Sequence, residues 1–367
     1  MVKNIPAFLS FWLFTWAPAW ADDGHLARLQ LDATFSTLVL TTLQIEGLTG
    51  DDAGNLYTTG RGANPCPVWR ISFASPTLVP VGLVPAPCSP SGIAFDAKGN
   101  LFLSDNDKIW TLTPNAGTPP TATIYASGVP GTNGLAFDRD GNIWTGDGTT
   151  GQGRVWKVAP GGVVTEMFRV QPLVNQVGVG RDVRTLPTAN SQPLVANGIA
   201  FTHDGDLLIA DTARGAIWKV EFDHRGEIRS PVGCDTTFTT NTLCLGNILV
   251  THPLLEGADG IALDEAGNIW VAANERNAIV VVTREGRTAE IFRNPPSATA
   301  RLRNEGPLET PTSPFLLDGK LCTANSDGNR RDNSPNTAGE IAPGTAKTGK
   351  ISCMDQRLHI PGMRLPL

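Results

Sequence analysis

The sequence lacks the segments by which proteins usually contact nucleic acids or membranes. Charged residues make up 17% of the chain, and the formal net charge is −6. An acidic chain without a basic cluster gives no reason to expect nucleic acid or an anionic membrane as a partner. Beyond the N-terminal region, no apolar run is long enough for a membrane helix. We therefore expect neither kind of partner.

Several signatures of catalysis and metal binding are missing as well. The sequence contains no Cys-x-x-Cys pair, no serine nucleophile elbow and no Walker loop. Its five histidines share no position in the repeat described below. These absences argue against zinc held by paired cysteines, against a serine hydrolase with a nucleophile elbow and against a phosphate-binding loop.

The first 21 residues have the three parts of a secretory signal. Lys3 gives a positive start, residues 7–16 form an apolar core too short to span a bilayer, and Ala19-Trp20-Ala21 is a small-x-small cleavage site. We expect residues 1–21 to be a signal peptide and residues 22–367 to be exported, to the periplasm or the medium. An uncleaved membrane anchor is the alternative.

One short phrase occurs six times along the chain, with a polar residue at its second position. Each copy holds an apolar run, a turn of the Asp-x-x-Gly-Asn type or a shortened form of it, and a second apolar run. Successive polar residues are 42 to 64 residues apart (133 − 91 and 197 − 133). Repeats of roughly 40–50 residues with short strands are typical of β-propeller blades, with insertions in loops. The copies begin at Ile45, Pro90, Thr132, Ala196, Ala258 and Thr312.

The expected fold is all-β: a six-bladed β-propeller formed as a single domain by residues 22–367. A tryptophan recurs in the third strand of four copies, which we interpret as packing between blades. The last copy lacks a fourth strand, and the β-rich segment from Thr34 is expected to supply it and close the ring. Insertions at 171–195, 223–244, 294–312 and 325–346 should form loops that shape a pocket. We expect a monomer.

All six cysteines follow the signal, an even number in an oxidising compartment. Six cysteines allow 15 pairings, but each sequential pair falls within one blade or one insertion. We therefore predict sequential disulfides. The pairs are Cys66–Cys88, Cys234–Cys244 and Cys322–Cys353.

The polar position of the repeat is the candidate site, because the first strand of each propeller blade lines the central channel. Glu46, Asn133, Asn197 and Asp259 would offer hard oxygen ligands with a charge of −2. That set suits one Ca²⁺ ion, with Mg²⁺, Mn²⁺ and Zn²⁺ as alternatives. A channel mouth of solvated polar residues is the other interpretation. Three further residues are candidate substrate contacts: Ser91, Ser313 and Arg61.

These motifs carry a family resemblance. The Glu-Gly of the first repeat, the Asn-Gly of the third and fourth and the Asp-Gly of the fifth resemble the senescence marker protein (regucalcin)/gluconolactonase/luciferin-regenerating enzyme family. The resemblance covers residues 44–355, and its most specific parts are ANGIAFTHDGDLLIADT and ADGIALDEAGNIWVAANE. It implies a six-bladed propeller with one divalent ion in the channel. It places the family's ligands on Glu46, Asn133, Asn197 and Asp259 and its general base on Asp259.

The activity that the resemblance implies is metal-assisted hydrolysis of a lactone or related ester, a small-molecule substrate. Attack by Asp259 as a nucleophile is a mechanistic variant. Gly131 stands where sugar-lactonase members have arginine, which removes a contact for sugar hydroxyls. More distant propellers hydrolyse organophosphates or resemble strictosidine synthase. Propellers of the NHL-repeat kind share the Gly-Ile-Ala-Phe-Asp-x-x-Gly-Asn phrase but only bind partners, so a non-catalytic binding module is the main alternative.

Overall fold

The structure, a computed structural model, describes residues 29, 31, 33–172, 196–295, 306–326 and 348–365. The predicted signal, residues 1–21, lies outside this part, as does most of three of the four predicted insertions. No helix in the described part is long and apolar enough to cross a membrane.

Six four-stranded antiparallel sheets, built from 24 described strands, form the ring of a six-bladed β-propeller, which confirms the predicted fold. The four strands of a blade follow one another from the channel outward. Blade 1 is β2 (Leu48–Gly50), β3 (Asn55–Thr59), β4 (Cys66–Ser72) and β5 (Ser75–Val84). Blade 2 is β6 (Ile93–Phe95), β7 (Leu101–Asp105), β8 (Lys108–Leu112) and β9 (Thr123–Ser127). Blade 3 is β10 (Thr132–Phe137), β11 (Ile143–Asp147), β12 (Arg154–Ala159) and β13 (Val163–Arg169).

The other three blades repeat this order, and the last one takes its outer strand from the N-terminal side. Blade 4 is β14 (Ile199–Phe201), β15 (Leu207–Asp211), β16 (Ala216–Val220) and β17 (Ile248–Thr251). Blade 5 is β18 (Ala258–Leu263), β19 (Ile269–Ala273), β20 (Ala278–Val282) and β21 (Thr288–Arg293). Blade 6 is β22 (Pro311–Leu317), β23 (Lys320–Asn325), β24 (Lys350–Met354) and β1 (Phe35–Leu40). Three short 3₁₀ turns complete the described elements: Leu245–Asn247, Pro253–Leu255 and Asn274–Arg276.

The aspartate of the repeated turn ties the inner hairpin of a blade together. In blade 3, Asp138 Oδ1 accepts the backbone N–H of Asn142 at 2.9 Å, and its Oδ2 accepts the indole N–H of Trp144 at 2.8 Å. The turn therefore fixes both the hairpin and the aromatic side chain that follows it. The same carboxylate-to-aromatic bond joins Asp51 to Tyr57 and Asp264 to Trp270.

Apolar cores lie between neighbouring blades. Trp110 of blade 2 is buried with Val68 of blade 1, and Trp69 of blade 1 is buried with Ile351 of blade 6. The interpretation of the third-strand tryptophans as inter-blade packing is thereby confirmed at these two positions.

The ring closes where the two ends of the chain meet. β1 pairs antiparallel with β24, from Phe35 opposite Met354 to Leu40 opposite Lys350, so the N-terminal strand completes blade 6 as predicted. A disulfide joins Cys322 to Cys353 across β23 and β24 of the same blade. The other two disulfides, Cys66–Cys88 and Cys234–Cys244, are also the pairs that the sequence predicts.

A C-terminal segment, residues 358–365, crosses the end of the channel at which the inner strands enter their hairpin turns. We call this segment the strap. The N–H of Glu265 donates to the carbonyl of Pro361 at 3.0 Å, and the N–H of Met363 donates to the carbonyl of Leu263 at 2.9 Å. Met363 and Leu365 line the channel cavity. The strap therefore covers the end of the channel opposite the polar positions of the repeat.

Candidate functional site

The polar positions of the repeat lie at one level around the channel, because neighbouring inner strands approach closely there. A Cβ on Gly134 would lie 2.7 Å from the carbonyl oxygen of Asn197, and a Cβ on Gly198 would lie 2.5 Å from that of Asp259. Any side chain larger than hydrogen would push these strands apart. The glycine after the polar residue thus brings successive polar positions together.

The polar positions of blades 6, 1 and 2 are neighbours at this level as well. The Thr312 hydroxyl donates to the carbonyl of Glu46 at 2.7 Å. On the other side of Glu46, a Cβ on Gly47 would overlap the carbonyl oxygen of Ser91. Glu46 therefore lies in the ring between Ser91 and Ser313, as the repeat predicts.

Two of the polar residues occupy β-bulges. The pairing of β10 with β11 shifts between Thr132 and Leu135, so Asn133 and Gly134 together face one residue of β11. The pairing of β18 with β19 shifts in the same way around Asp259. A bulge bends the strand and re-aims a side chain. This accounts for polar side chains that face the channel at the end of an otherwise apolar strand.

The channel contains a cavity of about 120 Å³ with a polar end and an apolar end. Asn133, Asn197, Asp259 and Ser313 line the polar end, and the first three are at most 5% exposed. Apolar inner-strand side chains and the strap line the rest. In the part of the chain that the structure describes, the cavity wall does not include the other three predicted site residues: Glu46, Ser91 and Arg61.

The Asn197 amide has a defined orientation. Its Nδ2 donates to the Thr212 hydroxyl at 2.9 Å, and that hydroxyl donates its own proton to the carbonyl of Ala258 at 2.7 Å. Because the hydroxyl proton is already used, Thr212 can only accept from Asn197. The amide oxygen of Asn197 is therefore the group left to face the channel.

Asp259 is held by an asparagine of its own blade. Asn274 Nδ2 donates to Asp259 Oδ2 at 2.8 Å, and both residues are at most 5% exposed. The Oδ1 of Asn274 is buried without a hydrogen-bond partner among the described residues. This bond restricts the rotation of the Asp259 carboxylate.

The Glu46 carboxylate is paired with Arg61. Nη1 of Arg61 contacts Glu46 Oε2, and Nε of Arg61 donates to the Ser89 hydroxyl at 3.0 Å. Burial lowers the pKa of the Arg61 guanidinium, while the carboxylates of Asp105 and Asp259 oppose that shift. Because Asp259 belongs to blade 5, the guanidinium lies within electrostatic reach across the channel mouth. The sequence identified Arg61 only as a candidate substrate contact.

A second set of residues contacts the first set, and of its members the sequence analysis named only Arg61, as a candidate substrate contact. We call Glu46, Asn133, Asn197 and Asp259 the first ring, and Arg61, Gly148, Thr212 and Asn274 the second ring. Each second-ring residue follows its first-ring partner by 15 positions, as in 212 − 197 and 274 − 259. Gly148 fits this pattern because a Cβ there would lie 2.6 Å from Asn133 Nδ2. Aligning the six repeats beyond the first hairpin strand would have found this offset.

Gly131, where sugar-lactonase members have arginine, is fixed by its own surroundings. Its φ is 81°, and a Cβ there would overlap the Asp147 carboxylate. Any side chain at this position is therefore strained by the backbone and blocked by Asp147.

The donor chemistry of the first ring fits a divalent cation. Two carboxylates and two amide oxygens are hard ligands of the kind that Ca²⁺ accepts in flexible geometry. No group of three or more His, Cys, Asp or Glu side chains in the described part could hold a metal. A cation held by the first ring would therefore need the asparagine oxygens as well as the two carboxylates.

Comparison with known proteins agrees with the architecture. Residues 179–302 match the family model described as SMP-30/Gluconolactonase/LRE-like region. This stretch contains Asn197 and Asp259 with their partners Thr212 and Asn274, but not the first-ring residues of blades 1 and 3. None of the curated protein sequences compared with the chain is significantly similar to it.

Three similar solved structures share the fold. A luciferin-regenerating enzyme is 14% identical with a TM-score of 0.60, and the match covers 90% of this chain and 97% of that one. A calcium-binding regucalcin from Agrobacterium tumefaciens is 19% identical with a TM-score of 0.54, covering 90% and 95%. A gluconolactonase from Xanthomonas campestris is 15% identical with a TM-score of 0.53, covering 92% and 93%. The resemblance recognised from the sequence is confirmed over residues 179–302: the chain carries an SMP-30/gluconolactonase/LRE-like region in a six-bladed β-propeller.

Proposed function

We propose that the protein is an exported, metal-dependent hydrolase that opens lactones or related esters. The observation that best supports this function is the convergence of Asn133, Asn197 and Asp259 on one wall of the channel cavity. The family-model match and the fold shared with a gluconolactonase favour lactone chemistry. Three disulfides suit an oxidising compartment, in agreement with the predicted signal at residues 1–21.

The first ring would hold the cation through oxygen atoms of Glu46, Asn133, Asn197 and Asp259. Ca²⁺ is the ion we favour, with Mg²⁺, Mn²⁺ and Zn²⁺ as alternatives, because it accepts six to eight oxygens and leaves positions for water and substrate. A bound divalent cation would polarise the lactone carbonyl and stabilise the oxyanion that forms on attack. The regucalcin with this fold is described as calcium-binding.

Asp259 is the residue we assign to proton transfer. Asp259 lines the cavity, is 5% exposed, and accepts the amide N–H of Asn274 at its Oδ2. A carboxylate held in this way can accept the proton of an attacking water without first reorienting. Ser313, which also lines the polar end, is positioned for a substrate contact.

The substrate class follows from the shape and polarity of the site. The Gly131 position cannot carry an arginine for sugar hydroxyls, since a Cβ there would overlap the Asp147 carboxylate. The cavity beyond the polar end is lined mainly by apolar side chains. We therefore propose lactones or esters with few hydroxyl groups in preference to sugar lactones.

The test is hydrolysis by purified protein, measured with a panel of lactones and activated esters, before and after removal of metal by a chelator. We expect activity that the chelator abolishes and added Ca²⁺ restores. Asp259→Asn should also lose this activity. Asp107→Asn is its matched control, because the Asp107 carboxylate is exposed and paired only with Lys108 in the described structure. A protein that retains metal but hydrolyses nothing in the panel would instead support the binding-module interpretation. Activity that survives metal removal would contradict the metal-dependent mechanism.

A further inference from the structure

We propose that the second ring tunes the cation affinity of the first ring, raising it in blades 4 and 5 and lowering it in blade 1. Thr212 and Asn274 are positioning residues that strengthen cation binding, whereas Arg61 weakens it by competing for Glu46. This inference rests on the proposed metal site. It assigns roles to three residues that each follow a first-ring residue by 15 positions. Two of them are neutral and one, Arg61, is positively charged.

Thr212 acts on the direction of the Asn197 amide. The hydroxyl proton is committed to the carbonyl of Ala258, so the Thr212 oxygen accepts only the Asn197 N–H. Without that acceptor, the amide can turn its nitrogen toward the channel, and an N–H group repels a cation. Outer partners of metal ligands commonly change metal affinity by 10–100-fold when they are removed.

Asn274 orients the Asp259 carboxylate and so also favours cation binding. Its N–H binds Oδ2 at 2.8 Å within a buried environment, which restricts rotation of the carboxylate. Because Asn274 is neutral, it orients the ligand without cancelling its charge. Removing the side chain should therefore leave the charge of the first ring unchanged and lower its preorganisation.

Arg61 occupies the corresponding place in blade 1 but carries a positive charge. Its guanidinium contacts the Glu46 carboxylate, so a divalent cation bound to that carboxylate would meet a second cation on the same group. Nε of Arg61 is held by the Ser89 hydroxyl, which keeps the guanidinium near the mouth. Two positive charges that share one carboxylate, the guanidinium and the bound cation, repel strongly in a partly buried site. A neutral residue in place of Arg61 should remove this competition.

The experiment measures the dissociation constant of Ca²⁺ by calorimetry on metal-stripped, full-length protein. We expect Thr212→Val and Asn274→Ala to bind about 10–100-fold more weakly, Thr212→Ser to bind like the wild type, and Arg61→Gln to bind several-fold more tightly. Thr283→Val is the matched control. Thr283 is a buried threonine whose hydroxyl accepts the Arg287 N–H in the turn between β20 and β21, and its loss should not change the affinity.

The expected changes in Ca²⁺ affinity are opposite, tighter for Arg61→Gln and weaker for Thr212→Val and Asn274→Ala. A general loss of structure would weaken binding in all three variants. If Thr212→Val, Asn274→Ala and Arg61→Gln all weaken binding, or none changes it while the wild type binds Ca²⁺, the second-ring inference is wrong and the proposed function stands. If neither the wild type nor Arg61→Gln binds any divalent cation, both proposals are wrong. If Thr283→Val weakens binding as much as Thr212→Val, the effect at Thr212 is structural and its positioning role is refuted.

Discussion

Among single residues, Asp259 differs from the asparagines beside it because it brings charge and a proton acceptor as well as an oxygen. Asp259→Asn keeps the size of the side chain but removes the base, so we expect turnover to fall by roughly two to four orders of magnitude. The check is the initial rate on the best lactone of the panel at saturating Ca²⁺. Full activity of Asp259→Asn would refute the assignment.

The asparagines of the first ring should respond differently. Asn133→Ala and Asn197→Ala each remove one neutral oxygen ligand, so their main effect should be weaker metal binding. We expect activity to be low at limiting Ca²⁺ and to recover in large part when the concentration is raised. Rates measured across a Ca²⁺ titration test this, and a loss that no concentration restores would show a role beyond metal binding.

His252 should give the protein a measurable dependence of stability on pH. Burial lowers the pKa of the His252 imidazole, and Arg276 adds to the shift. The unfolded chain therefore takes up a proton more readily than the folded one, and the free energy of unfolding decreases as the pH falls through about 6.5 and below. Protonation also removes the acceptor for the Leu254 N–H, now bound at 3.1 Å by Nδ1.

His252→Asn tests this dependence, because asparagine can accept the same N–H but does not titrate. We expect the wild type to lose melting temperature relative to the variant between pH 7.5 and pH 5.5, by an amount that corresponds to less than about 1 kcal/mol, the net worth of one hydrogen bond. Thermal unfolding at both pH values gives the comparison. Parallel curves would show that His252 is not the titrating group.

At the scale of elements, the disulfide of blade 6 should matter more than the one in the exposed insertion. Cys322–Cys353 closes a loop of 31 residues and Cys234–Cys244 one of 10 residues. In the chain-entropy picture the longer loop contributes roughly 1 kcal/mol more, within a typical range of about 2–4 kcal/mol for each bond. Cys322 is also fully buried, whereas Cys234 is exposed.

Denaturant unfolding of the two double Cys→Ala variants measures this difference. We expect the Cys322/Cys353 variant to be the less stable of the two and the Cys234/Cys244 variant to remain close to the wild type in fold. Equal stabilities would contradict the loop argument.

The elements that the sequence predicts best are those that the repeat itself specifies. The glycines and aspartates of the hairpin turn mark the inner strands of the blades, and the unmatched segment from Thr34 predicts ring closure by β1. The second-ring contacts were missed because they depend on local register and, at Asn133, cross a bulged strand pair. The strap was missed because residues 358–365 carry no repeat, and their contact with the channel exists only after folding.

At the scale of the whole molecule, a cation bound by four blades should stabilise the ring against unfolding. Ligands that bind only the folded state raise the free energy of unfolding by about 2.7 kcal/mol at one hundred times the dissociation constant. We therefore expect the melting temperature to rise with Ca²⁺ concentration and the rise to vanish in Asp259→Ala. Differential scanning calorimetry measures both, and an unchanged melting temperature at saturating Ca²⁺ would argue against a site that joins the blades.

Closure of blade 6 by the N-terminal strand also has a consequence for the order of events during synthesis. Phe35 of β1 pairs with Met354 of β24, 319 residues later in the chain (354 − 35). At about 5–20 residues per second, the ribosome needs on the order of 15 to 60 seconds to make the partner strand. The first strand to emerge is thus the last to be paired, and a nascent chain that stops before β24 retains an open ring with an exposed edge.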